Sequence, residues 1–106
     1  MLDLNKDNFE AEVLNAPAKV FVMFSGDGCA PCAAIKPFVM QCGEKYADKL
    51  KFGHLLTNQN RRLAIGQKVM GIPFMGIYEN GQRIDQLTKD EITGESVEAL
   101  IQKHLG

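Results

Sequence analysis

Apolar positions change their spacing several times along the chain, and each change marks an element. Residues 8–14 carry Phe9, Val13 and Leu14 at helical spacing, with Asn or Asp available as caps, and Ala16-Pro17 ends the segment. Residues 19–24, K-V-F-V-M-F, are apolar from Val20 onward without alternation, the pattern of a strand covered on both faces. S-G-D-G follows as a turn signal. Residues 30–46 return to helical spacing through Ile35, Phe38, Val39 and Cys42, with Pro37 as a predicted kink. Residues 51–56 form the next strand candidate, and 61–69 a short helix that Gly71 is expected to close. Beyond Pro73, residues 74–78 and 83–87 flank Asn80-Gly81, a strong signal for a two-residue hairpin turn. Thr93-Gly94-Glu95-Ser96 opens a last helix with Val97, Leu100, Ile101 and Leu105 on one face.

The order helix, strand, helix, strand, helix, strand, strand, helix predicts an α/β fold. Early alternation implies parallel strands joined by helical crossovers, and the late hairpin adds an antiparallel pair, so the central sheet is mixed and flanked by helices. No repeat, low-complexity stretch or linker divides residues 1–106, which are read as one domain. At 45% hydrophobic and 24% charged residues, the chain can bury a single core. A net charge of −1 without a basic patch argues against nucleic acid and against attraction to a membrane surface. The apolar run 20–24 is far too short to span a bilayer, and M-L-D-L-N-K-D-N-F lacks the basic start and apolar core of a signal peptide. The location expected is therefore cytoplasmic.

The chemistry is concentrated in Cys29-Ala30-Pro31-Cys32. Cys29 follows a buried strand and opens a helix, where unpaired N–H groups and a partial positive charge favour a thiolate. Cys32 lies within the first turn, in reach of a small disulfide ring, and Pro31 suits a turn where a missing N–H does no harm. A static staple fits badly, because so short a loop removes little entropy from the unfolded chain. A metal clip needs four ligands, and the remaining Cys42, His54 and His104 offer no second close pair. Three cysteines also make an odd count for a disulfide scaffold. A pair cycled between dithiol and disulfide is the reading that this context favours over metal binding or metal delivery.

C-A-P-C after a strand, Gly71-Ile72-Pro73 and the Asn80-Gly81 hairpin together resemble the thioredoxin family, whose active-site pattern is usually W-C-G-P-C. The resemblance runs from about residue 8 to 105, and Pro37 falls where that family has a helix-kinking proline. It implies a thioredoxin fold and a thiol–disulfide oxidoreductase that reduces protein disulfides. Cys29 would be the exposed nucleophile that forms a mixed disulfide, and Cys32 the more buried thiol that resolves it. Ile72-Pro73 would be a cis peptide beside the sulfurs, with Gly28 bordering the same groove, where a partner chain pairs like an added strand. The resemblance further implies a monomer with no bound cofactor. Its partners would be disulfide-containing client proteins and a separate thioredoxin reductase. Ala30-Pro31 is close to the Gly-Pro of reductant members, which favours electron donation. The alternative is a non-catalytic thioredoxin-fold module that binds partners in the groove, a use that requires neither cysteine.

Several positions depart from the family. Gly28 and Ser25 stand where large aromatic residues are common, and the chain has no tryptophan. The loop 26–28 is therefore expected to be mobile and less apolar, with a different partner set. Met23 replaces a buried aspartate credited with moving a proton to or from the second cysteine, and would instead desolvate Cys32. His54 replaces a lysine near that aspartate; it is either a proton relay or a core-edge histidine with an unrelated hydrogen bond. The family's glycine before the last helix has no obvious counterpart in L-T-K-D-E-I-T-G. Lys89, Asp90 and Glu91 charge that loop, and if it docks partners, acidic surfaces are expected to be disfavoured. Cys42 reads as core packing, with a regulatory thiol as the lesser alternative.

Overall fold

In the computed structural model, which describes residues 1–105, the unbroken apolar run becomes β2 (Val20–Ser25), and every one of its residues is buried. Its backbone groups are paired on both sides. β3 (Lys51–Leu56) lies parallel to it, and β4 (Phe74–Glu79) lies antiparallel on the other side. β1 (Leu2–Leu4) and β5 (Gln82–Thr88) form the edges, giving the order β1-β3-β2-β4-β5. Phe21 and Met23 face a core shared with α1 (Ala30–Lys45) and α3 (Gly94–Lys103), which contribute Cys32, Val39, Cys42, Val97, Leu100 and Ile101. Val20, Val22 and Phe24 face a second core with Phe9, Val13, Ala64 and Val69, under the helical turn Glu10–Leu14 and α2 (Arg61–Gly66). The expected mixed sheet between helical layers is thus present.

The turn chemistry explains the joints. Asn80 and Gly81 take φ of 54° and 80°, the paired positive values of a type I′ turn, whose twist matches the strands it joins. Beyond it, Ile77 pairs with Asp85 but Tyr78 with Arg83, so Ile84 is the extra residue of a bulge. α3 begins with a reciprocal cap, in which the Thr93 hydroxyl accepts from Ser96 N–H (3.0 Å) and Ser96 Oγ accepts from Thr93 N–H (2.8 Å).

Three features differ from the sequence reading. β1 is too short to show a period, and only Leu4 of its residues is buried. The first helix is a single wide turn, closed by Asn15 N–H donating to Glu10 C=O at 2.8 Å across five residues. α2 stops at Gly66, and Gly71 does not close it. Lys68, at φ 60°, holds the left-handed position of a Schellman closure. Its N–H donates to Ile65 (2.9 Å) and that of Val69 to Ala64 (3.0 Å), which turns Val69 into the second core.

β1 depends on Gly53. A Cβ there would lie 2.5 Å from Leu4 Cδ1 and 2.9 Å from Leu4 Cγ, so the glycine makes room for the buried edge side chain. Gly53→Ala should therefore lower unfolding stability by about 1–3 kcal/mol in urea titrations, the cost of overpacking. Adding Leu4→Ala should cost less than the sum of the single losses, because both changes act on one contact.

Candidate active site

The sheet register brings separate loops to one end of the molecule. Ser25 at the end of β2 pairs with Leu56 at the end of β3, Phe24 pairs with Phe74 at the start of β4, and Phe74 pairs with Thr88 at the end of β5. The loop after β2 leads directly to Cys29, the N-cap of α1, with extended backbone (φ −91°, ψ 103°). Its Sγ accepts the N–H of Cys32 at 3.2 Å, a donor that the first helical turn leaves free. Cys29 and Cys32 form a disulfide with their Cα atoms 5.3 Å apart. Their exposure is unequal: Cys29 is half-buried, whereas Cys32 is 3% exposed within the core beneath α1. Ala30 and Pro31 between them face solvent. The helix N-terminus points its N–H donors and positive end at Cys29, which favours the thiolate there once the bond is reduced.

The Ile72-Pro73 peptide is cis, as expected. Pro73 is buried, and Ile72 packs on the same core as Cys29. The two loops touch at Gly26, where a Cβ would lie 2.7 Å from Ile72 Cδ1. Gly28 is exposed, and its φ of 77° rather than crowding calls for glycine. The loop expected to be mobile is held by the turn Thr57–Gln59 that follows β3. Thr57 Oγ1 donates to the Ser25 carbonyl (3.1 Å), and Asp27 N–H donates to Asn58 Oδ1 (3.0 Å). The Asp27 carboxylate accepts from Asn58 Nδ2 (2.9 Å) and Gln59 Nε2 (3.3 Å). Those side-chain bonds, that of Asn58 foremost, hold the carboxyl below its ordinary pKa. T-N-Q is a cluster of polar turn formers in the sequence, but its partner Asp27 is distant along the chain.

Beside the disulfide lies a cleft of about 490 Å³ lined by Ser25, Gly28, both cysteines, Lys36 and His54. His54 is 8% exposed, and its Nε2 is hydrogen-bonded to Ser25 Oγ. Burial, followed by the positive charge of Lys36, pushes the imidazole pKa down against a smaller opposing pull from Asp3. Met23, its register partner on β2, is fully buried and brings no charge. Sequence reasoning treated Ser25 only as a missing aromatic, and overlooked it as the partner of His54. The other candidates lie elsewhere. Cys42 is buried with its thiol pKa pushed up, first by burial and then by Glu98, and His104 binds Asp85 Oδ2 at 2.9 Å. Among the described residues no three His, Cys, Asp or Glu side chains are grouped to hold a metal ion, and no helix is long and apolar enough to cross a membrane.

A vicinal pair that alternates between dithiol and disulfide carries two electrons, and the chain is a thiol–disulfide oxidoreductase. The thioredoxin profile matches residues 1–103. A thioredoxin of Peptoclostridium acidaminophilum is 42% identical over 106 residues, covering 100% of this chain and 96% of its own length. One of Acetoanaerobium sticklandii is 43% identical over 105 residues, covering 99% of this chain and 100% of its own. Thioredoxin 1 of a Nostoc species is 28% identical over 97 residues, covering 92% and 90%. The chain belongs to the thioredoxin family and has its fold. Membership implies disulfide-containing substrates and a thioredoxin reductase as the general kind of partner.

The environment of His54 has a consequence for stability. Its folded pKa is depressed, so the native state keeps the ring neutral while the unfolded chain takes up a proton near pH 6.5. The associated stability is present above that pH and is lost as pH falls below it. Asp27, Asp85 and Glu91 are also depressed, but carboxyls take up protons near pH 4 and act in a separate window. Urea unfolding between pH 5 and 8 should show this loss in wild type, at most about 1.4 kcal/mol per pH unit, and a shallower slope in His54→Gln.

Proposed function

We propose that residues 1–106 act as one cytoplasmic, monomeric domain that donates electrons to client disulfides through Cys29 and Cys32. The unequal exposure of the two sulfurs at the start of α1 carries this reading. The Cys29 thiolate attacks one sulfur of a client disulfide, that S–S bond breaks, and one client sulfur leaves as a thiolate and is protonated. The Cys32 thiol loses its proton and attacks Cys29 Sγ, which forms the Cys29–Cys32 disulfide and releases the second client thiolate. In total, two electrons pass from the protein to the client, and the Cys32 proton together with the proton Cys29 lost to solvent on ionising end on the two client thiols. A thioredoxin reductase returns the pair to the dithiol, and no bound cofactor takes part. Ile72, Pro73 and Gly28 border the groove that receives the client chain, and Ala30-Pro31 keeps the rim between the sulfurs uncharged.

Cys32 must lose a proton in a place where Met23 supplies no base. We assign that role to His54, which acts with Ser25 across the cleft beside the disulfide. Burial lowers the imidazole pKa, which keeps the ring in the neutral form that carries an accepting lone pair, at the cost of basicity. A purely partner-binding module is the weaker reading, because docking alone needs neither sulfur.

Two experiments test these assignments. Cys32→Ser should accumulate mixed disulfides on Cys29 when mixed with cytosolic protein, and Cys29→Ser should reduce no disulfide substrate. An empty capture together with a wild type inactive on model disulfides would leave only the binding module. For the relay, the pH profile of Cys32 thiolate formation should shift in both His54→Ala and Ser25→Ala; superimposable profiles for all three proteins sink it.

A further inference from the structure

A second cleft, of about 430 Å³, opens beside Pro73, lined by Lys68, Met70, Gly71, Phe74, Thr88 and Lys89, with Gln86 at its side. It is linked to the disulfide loop through one residue: Ile72, next to Gly71 of the cleft wall, packs on Cys29's core, and a Cβ on Gly26 would lie 2.7 Å from its Cδ1. Its chemistry is uniform. Met70, 85% exposed, supplies a free apolar face. Lys68 and Lys89 supply charge, and no carboxylate lines the cleft. Among the described residues neither lysine forms an ion pair.

Both lysines occupy strained backbone. Apart from Asn80 in the hairpin turn, they are the described non-glycine residues at positive φ, at 60° and 35°. Glycine would sit at either position without strain, and both side chains are exposed, so core packing gives no reason for lysine there. Lys89 is also fixed in place. Its N–H donates to the Pro73 carbonyl at 3.0 Å, and its stem lies along Gly71, with Cδ 3.5 Å from where a Cβ on that glycine would be. Glu91, on the same turn, does not itself line the cleft, and its Oε1 accepts from the N–H (2.8 Å) and hydroxyl (2.9 Å) of Thr88. Asp90 does not line the cleft. The sequence reading expected this loop to disfavour acidic partners if it docks them; the residue it places on the cleft wall is Lys89.

We propose that this cleft is a client-selecting subsite for acidic segments, in which Lys68 and Lys89 attract Glu or Asp side chains flanking the client cysteine while Met70 contacts the adjoining apolar part. The proposal rests on the disulfide-reducing reading above and names the clients that reading leaves open. Complementary exposed charges act mainly on encounter and weaken with salt.

The test uses symmetric disulfide dimers of one short peptide whose cysteine is flanked on both sides by Glu, by Gln or by Lys. Each rate is normalised to reduction of the same dimer by dithiothreitol, which removes the peptide's own reactivity. Wild type should show a kcat/KM for the Glu dimer about threefold to tenfold above that for the Lys dimer at low salt, falling toward unity in 0.5 M salt. The ratio should fall to about one in Lys68→Gly/Lys89→Gly, which relieves the backbone strain, and equally in Lys68→Gln/Lys89→Gln, which keeps side-chain length. Wild type that reduces the Gln dimer but treats Glu and Lys dimers alike overturns the subsite and leaves the redox reading standing. A ratio that persists in both double variants overturns its assignment to these lysines. Failure to reduce any of the three dimers overturns both readings.

Discussion

The site depends on the pairing of β2. Its six residues are buried on both faces, so each backbone N–H and C=O along it needs a partner within the sheet. β3 supplies partners in parallel and β4 in antiparallel orientation. This difference in direction assembles the site. The end of β2 then lies beside the end of β3 and the start of β4, and β5, antiparallel to β4, ends there too. Cys29, the turn Thr57–Gln59, Pro73 and Lys89 are far apart in sequence, and one central strand accounts for their meeting.

Around that point polar contacts stand in for bulk. Among the described residues no aromatic side chain lines the cleft beside Cys29, yet the loop before it is tied to the β3 turn through Asp27, Asn58, Gln59 and Thr57. Cross-links of this kind hold a backbone without covering it, so the cleft beside the sulfurs stays open to Ser25 and His54. A large residue at Ser25 would occupy the space that His54 Nε2 uses for its hydrogen bond. The small serine and the buried histidine are therefore better understood as a pair than as separate departures from a family pattern.

The legible parts of the fold were those whose signal is local. The apolar run of β2, the Asn80-Gly81 turn, the Thr93–Ser96 cap and the cysteine pair each declare themselves within a few residues, and each stands where it was expected. The parts that escaped depend on contacts across the chain. β1 has one buried residue and is specified by the space above Gly53. The α2 terminus was assigned to a glycine because glycine usually takes the left-handed position, and a lysine holds it instead. The placing of Lys89 on the cleft wall, with the Glu91 carboxylate bonded to Thr88, rests on hydrogen bonds that charge counting along the loop does not register.

This division separates chemistry from selection. The redox pair and the helix end that tunes it lie within one turn of α1, so their geometry survives changes elsewhere as long as β2 delivers Cys29 to its cap position. The surface around the pair is built from loops attached to several strands, and each loop can change without moving the sulfurs. A lysine in place of a strain-free glycine costs local stability and leaves the Cys29–Cys32 turn untouched. A strain of that kind persists only when the rest of the fold over-determines the backbone, and here the bonds from Lys89 N–H to Pro73 and from Val69 N–H to Ala64 hold both lysine positions in place. The sheet that gathers the site thus also makes its rim free to vary.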